Sequence, residues 1–140
     1  MTPLPCDATV IRIAAAVIVD DAGRTLLVRK RGTEPFMQAG GKVANGEAAI
    51  EALARELREE LGCGIDSSAR ALGRFSAPAA NEVDTIVEAE LFAVDLVGEI
   101  SPAAEIEEVR WHHPDAAPTF PLAPLTRDHV LPLVRSWGRG

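Results

Sequence analysis

Between Glu47 and Leu61 the apolar residues Ile50, Leu53, Ala54, Leu57 and Leu61 recur at three- and four-residue spacing. That period makes one continuous stripe on an α-helix and no coherent face on a strand. Gly62, with Gly64 close behind, supplies a stop. At about 100° per residue, Glu56, Glu59 and Glu60 fall within roughly a 100° arc beside the stripe. The spacing thus predicts a helix over 47–61 that packs on a core and carries three carboxylates along one edge.

Bare, that edge is unfavourable, because like charges at i,i+3 and i,i+4 repel. Two readings are open for it. One is a solvated acidic helix face, the common fate of such charge runs. The other is a divalent-cation site: Mg²⁺ prefers oxygen ligands and usually takes one or two carboxylates together with waters and substrate phosphates. Two such ions can clamp the attacking and leaving oxygens of a phosphoryl displacement. Arg55 lies four residues from both Glu51 and Glu59 and can orient a ligand carboxylate. Gly40 and Gly41 lack side chains, so the backbone can come close to a metal or a ligand there.

The segment from Gly41 to Cys63 resembles the Nudix box: G, five residues, E, seven residues, then R-E-U-x-E-E-x-G-U, with U a bulky apolar residue. Gly41, Glu47, Arg55, Glu56, Leu57, Glu59, Glu60 and Gly62 fall in register. Seven fixed residues would match by chance on the order of 10⁻⁸ times per starting position at average usage. The last apolar position holds Cys63, which packs as a small hydrophobe, and Ala39 stands where proline is frequent.

The resemblance implies a metal-dependent hydrolase that cuts a diphosphate linkage in a nucleoside diphosphate derivative. The substrate would be of nucleoside triphosphate, oxidised-nucleotide, ADP-ribose or nucleotide-sugar type. The cofactor would be Mg²⁺, with Mn²⁺ as a substitute. Glu59 and Glu60 would be the principal metal ligands. Glu56 would be a further ligand or orient the attacking water, and the Gly41 carbonyl would also bind the metal. Glu47 would join through hydrogen bonds or water-mediated contacts, and Arg55 would hold the glutamates. Some members add a carboxylate about six residues before a Trp on the last strand. Trp111 makes Glu105 the candidate here, with Glu107 and Glu108 as rivals; an exposed loop acid is the alternative reading of Glu105. The rival to the hydrolase is a nucleotide-binding module that kept the fold and lost catalysis. Such relatives typically lose box glutamates, and none is missing here.

The rest of the chain fits an α/β fold, a Nudix-like α/β/α sandwich with a mixed central sheet. Val10–Val19 is predicted as a buried strand, and Thr25–Arg31 as its hairpin partner across the turn Asp20–Gly23. Phe36–Val43 holds the glycine pair. Further strands are expected at Ala69–Ser76, Thr85–Val97 and Ile106–His112, with a polar loop over 77–84. Leu125–Trp137 is a final helix that Pro132 would kink or delay. Residues 1–140 form one domain, with 1–8 a loose leader. Arg29 and Arg31 share a strand face and either touch substrate phosphates or lie in solvent.

The net charge of −7 argues against nucleic-acid partners, since such a surface repels phosphate backbones. It also repels a free nucleotide, so local cations must offset it. No basic stretch followed by an apolar run opens the chain, and no segment approaches the roughly 20 apolar residues that span a bilayer. A cytoplasmic protein with free thiols at Cys6 and Cys63 and no membrane partner is the expectation. Many relatives of the box are homodimers, and the sequence leaves a homodimer open.

Overall fold

Strand β1, Thr9–Val17, is apolar on both faces over its second half, and the chain is organised around it. The computed structural model describes residues 9–80 and 82–137; the expected leader and Cys6 lie outside them. In chain order follow β2 (Thr25–Lys30), β3 (Gly40–Lys42), α1 (Ala49–Leu61), β4 (Gly64–Ile65), β5 (Arg70–Pro78), β6 (Thr85–Ala93), β7 (Leu96–Val97) and β8 (Ile106–His112). A π-helical turn, Thr126–Val130, then leads into α2 (Leu131–Trp137). The main sheet runs β3-β1-β6-β5, with β1 and β6 parallel and the other pairs antiparallel. β2 pairs with β8, and β4 with β7, in two smaller antiparallel ladders.

Alternation along β1 sends its residues to two cores. Ala14, Ala16 and Ile18 meet Leu53, Leu57 and Leu61 of α1. Ala15 and Val17 meet Leu125, Val130 and Val134 beneath the C-terminal helix. Helices thus cover both faces of a mixed sheet, which is the expected α/β/α arrangement.

Four expectations need correction. The turn after β1 forms, with Gly23 N–H donating to Asp20 O at 3.0 Å. However, β1 and β2 do not continue into a hairpin ladder: a single bridge, Val19–Thr25, joins them, and the strands part into different sheets. Beyond that bridge β1 takes β3 and β6 as its edge partners and β2 takes β8. The helix begins at Ala49, not Glu47, because the Glu47 carboxylate turns back to accept Ala44 N–H at 3.0 Å. The strand expected over Thr85–Val97 breaks after Ala93 and resumes as β7 against β4. Finally, the C-terminal helix starts as a π turn in which Leu131 N–H donates to Thr126 O. Pro132 has no N–H to continue an α-helical ladder from that turn, so it sits in the first turn of α2, where none is needed.

Leu57 is fully buried under β1, whereas Ile50, on the same stripe, is 36% exposed. Leu57→Ala is expected to lower unfolding free energy by about 2–5 kcal/mol. Ile50→Ala is expected to cost less than about 1.5 kcal/mol, since little apolar area is lost. Urea denaturation of the two variants checks both.

Candidate active site

Two glycines let α1 approach the sheet. A Cβ on Gly40 would lie 2.2 Å from Ala14 O and 2.8 Å from Ala15 Cα. A Cβ on Gly41 would lie 2.5 Å from the Glu56 carboxyl carbon. β3 can therefore press against β1 on one side and receive the Glu56 carboxylate on the other only if both positions lack side chains.

Glu60 is buried at 4% exposure, and its Oε1 accepts Gly40 N–H at 3.0 Å. Burial pushes its carboxyl from 4.5 up to about 7. The Gly40 N–H and the Lys30 charge pull the other way, while Glu56 and Glu105 add to the rise. Arg55 spans the other acids. Its Nε donates to Glu47 Oε2 at 3.1 Å and its Nη1 to Glu56 Oε1 at 2.8 Å. Its Nη2 donates to Glu47 Oε1 at 3.0 Å and to Lys42 O at 3.2 Å. The guanidinium, followed by Ala44 N–H, holds the Glu47 carboxyl below the usual carboxylate range, and the two glutamates raise Arg55 in turn. Glu59 projects from the same helix edge and is exposed.

The loop before β8 closes the far end of α1. Ser101 N–H donates to Leu61 O at 2.8 Å and Ala103 N–H to Glu60 O at 2.9 Å, which satisfies helix carbonyls that lack partners in the last turn. Ala104 turns the chain with φ 55°, a left-handed conformation uncommon without glycine. Glu105 follows, exposed, with its carbonyl accepting Arg31 N–H at 2.7 Å. Its rivals are engaged elsewhere: Glu107 pairs with Arg31, and Glu108 with Arg29 and Arg110.

Those pairs also place Arg29 and Arg31. Both are held on the β2–β8 ladder by acids of β8, and neither lines the cleft beside the glycine pair. The cations that line it are Lys30 and Lys42. Period-2 alternation correctly put Lys30 on the opposite face from its neighbours. Which face turned inward was not legible, because Leu26, Leu27 and Val28 are all buried. Gly40 contributes an N–H to Glu60, a role with no local sequence signal. The cleft, of about 190 Å³, also carries Gln38 and one acid, Glu82, and its remaining walls are apolar, with Ile11, Ile13, Ala15, Met37 and Val87 among them. Phe36 packs tilted against Phe120, ring centroids 4.7 Å apart, and Phe75 tilted against His129 at 5.3 Å, both outside the cleft.

Among the described residues, no three His, Cys, Asp or Glu side chains already converge on one point. Glu56 is drawn to Arg55 and Glu60 to Gly40 N–H. The donor set nonetheless suits a hard divalent cation: three glutamates on one helix edge, a backbone carbonyl at Gly41, and no sulfur or imidazole. The space that Gly41 leaves for the Glu56 carboxylate is the cradle such an ion needs.

The NUDIX domain model matches residues 10–134. An isopentenyl-diphosphate Delta-isomerase from Mycolicibacterium vanbaalenii is 36% identical, the match covering 88% of this chain and 75% of the relative. A CTP pyrophosphohydrolase from Escherichia coli is 35% identical, over 81% of this chain and 84% of its own length. The solution structure of the E. coli ORF135 protein superposes with a TM-score of 0.70 at 29% identity, covering 94% of this chain and 91% of that one. The chain belongs to the Nudix family of hydrolases. No helix among the described residues is long and apolar enough to cross a membrane.

The raised Glu60 carboxyl makes a prediction for the metal-free protein. Its folded pKa of about 7 lies above the ordinary 4.5, so below pH 4.5 it takes nothing from stability. Stability then falls as pH rises from 4.5 to about 7, as the buried group is forced to ionise. In EDTA, Glu60→Gln is therefore expected to raise the melting temperature at pH 8. A gain on the order of 2 kcal/mol is expected, shrinking to nothing near pH 4.5. A gain that does not vary with pH would show that ionisation of Glu60 is not its source.

Proposed function

We propose that this enzyme is a divalent-metal-dependent pyrophosphohydrolase. It would cleave the diphosphate linkage of a nucleoside triphosphate, an oxidised nucleotide or a nucleotide sugar. The observation that carries this reading is the Arg55 bridge. One guanidinium fixes Glu47 and Glu56 beside a buried Glu60, and the cleft at their side holds Lys30 and Lys42. Two relatives support the nucleotide class by name, the CTP pyrophosphohydrolase and an 8-oxo-dGTP diphosphatase from Haemophilus influenzae.

Glu56, Glu59, Glu60 and the Gly41 carbonyl would hold Mg²⁺, with Mn²⁺ as a substitute. Bound there, the cation would polarise the phosphoryl oxygens and acidify water. Glu47 acts through Arg55, which keeps the Glu56 carboxylate from swinging away. Lys30 and Lys42 draw the substrate phosphates into a protein whose net charge of −7 would otherwise repel them. Glu105, exposed and free of side-chain partners among the described residues, takes the proton of the attacking water; the P–O bond to the bridging oxygen then breaks.

The test is a release assay against nucleoside triphosphates, oxidised nucleotides, ADP-ribose, nucleotide sugars and isopentenyl diphosphate, in Mg²⁺, Mn²⁺ and EDTA. Turnover of one nucleotide class is expected with either metal and none in EDTA. Glu59→Gln should lose at least about 100-fold in kcat with its fold intact, since it removes a charge that acts in the transition state. Gly41→Ala should lose as much, because its methyl group takes the place of the Glu56 carboxylate. Wild-type turnover in either variant would remove that residue from the mechanism. Tight nucleotide binding without cleavage under every metal would favour a binding module instead.

A further inference from the structure

Gln38 lies two residues before the glycine pair, is 6% exposed, and forms part of the wall of the cleft that runs on from the candidate active site. It also lines a smaller apolar extension of about 80 Å³, which reaches Pro78, Leu125 and the fully buried Thr126. A primary amide in such a wall can usually face either way, because its two ends differ little in size. Here it cannot. The carbonyl oxygen of Ala16 lies 3.4 Å from one end and can only accept, so the NH₂ must face it. The Thr126 hydroxyl, 2.8 Å from the other end, must then donate to Oε1. Thr126 opens the π-helical turn, which sets its hydroxyl against the wall of the cleft; π turns of this kind are frequent at functional sites.

This leaves the amide with one N–H beyond the one aimed at Ala16 and one unused lone pair on Oε1. An orphaned buried donor is rarer than an under-satisfied carbonyl, so the N–H is the group that calls for a ligand. Lys30 and Lys42 line the same cleft and suit the phosphates, which puts the remainder of the molecule against the Gln38 end.

We propose that the Thr126-locked Gln38 amide is the specificity-determining donor of this site, selecting bases with a carbonyl oxygen at purine position 6 or pyrimidine position 4 over bases with an amino group there. The proposal rests on the nucleotide-hydrolase reading. The fixed N–H would donate to O6 of guanine or O4 of uracil, whereas the N6 amino group of adenine and the N4 amino group of cytosine, at the same position, would meet a donor with a donor. Thr126 touches no substrate and is a positioning residue.

The test compares kcat/KM in two matched pairs, UTP with CTP and GTP with ATP, under Mg²⁺. Wild-type enzyme is expected to favour the carbonyl member of each pair at least about tenfold, the usual worth of a well-placed buried hydrogen bond. Gln38→Leu should bring both ratios to within threefold, chiefly through a rise in KM for the preferred member. Thr126→Val, which releases the amide to turn over, should lower both ratios, and Thr126→Ser, which keeps the hydroxyl, should restore them. A merely structural Thr126 would change melting temperature in both variants and leave the ratios alone. Unchanged ratios in Gln38→Leu, or a wild-type preference for the amino members, overturns the proposal while leaving the hydrolase reading intact. Absence of turnover of all four nucleotides, from folded enzyme that cleaves an oxidised nucleotide or a nucleotide sugar, overturns the proposal alone, and absence of metal-dependent turnover of every substrate class overturns both.

Discussion

A carboxylate in the core is the constraint on which the rest of this architecture turns. Glu60 has only 4% of its surface in water and one N–H, from Gly40, to replace the lost hydration. An ion so placed is costly unless its partners are well set. Gly40 can provide that N–H only because β3 lies flush against β1, and β3 lies there only because Gly40 has no side chain and β1 offers alanines at 14, 15 and 16. The small residues of the central strand, the glycine pair and the depth of α1 are thus one arrangement with a single purpose, to hold an acid where it is uncomfortable. Lys30 softens that cost, and Glu56 and Glu105 sharpen it.

Charge is managed at two scales. The whole chain carries −7, yet the cleft beside the glutamates is lined by Lys30 and Lys42. Meanwhile the arginines of the β2–β8 ladder are spent on Glu107 and Glu108 across the strands. The result separates cations that hold the ladder together from cations that face the cleft. Lysine suits the second role: its flexible stem lets a compact charge follow a phosphate, whereas the arginines here are fixed by their carboxylates and by Phe36 and Phe120.

How much of this was legible depended on whether a feature is local. The helix, its apolar stripe and the register of its glutamates were plain, because each is set by spacing within fifteen or so residues. The sandwich followed from the alternation of strands and helices. Pairing was not legible: Val10–Val19 and Thr25–Arg31 read as a hairpin, but strands buried on both faces carry no mark of which neighbour they choose. The same uniform burial concealed Lys30 between two arginines. Glu47 lay in the expected helix by pattern and outside it in fact, since a carboxylate that accepts Ala44 N–H competes with the helix for its own backbone. Gln38 and Thr126 could not have been paired from sequence at all, because 88 residues separate them.

That long-range pair shows what the central strand accomplishes. Successive residues of β1 face opposite helices, and the segment from Gln38 to Gly41 runs beside it, so that segment meets both layers within four residues. Gly40 and Gly41 deal with the acids of α1, and Gln38 deals with the π turn ahead of α2. The α1 side is closely constrained, because Arg55 bridges Glu47 and Glu56 while Gly40 N–H holds Glu60. On the α2 side the contact from this segment is a single hydrogen bond, from the Thr126 hydroxyl to Gln38. An enzyme built this way can alter what it selects by changing Gln38, Thr126 and their neighbours, while the carboxylates on the other side of the strand stay where they are.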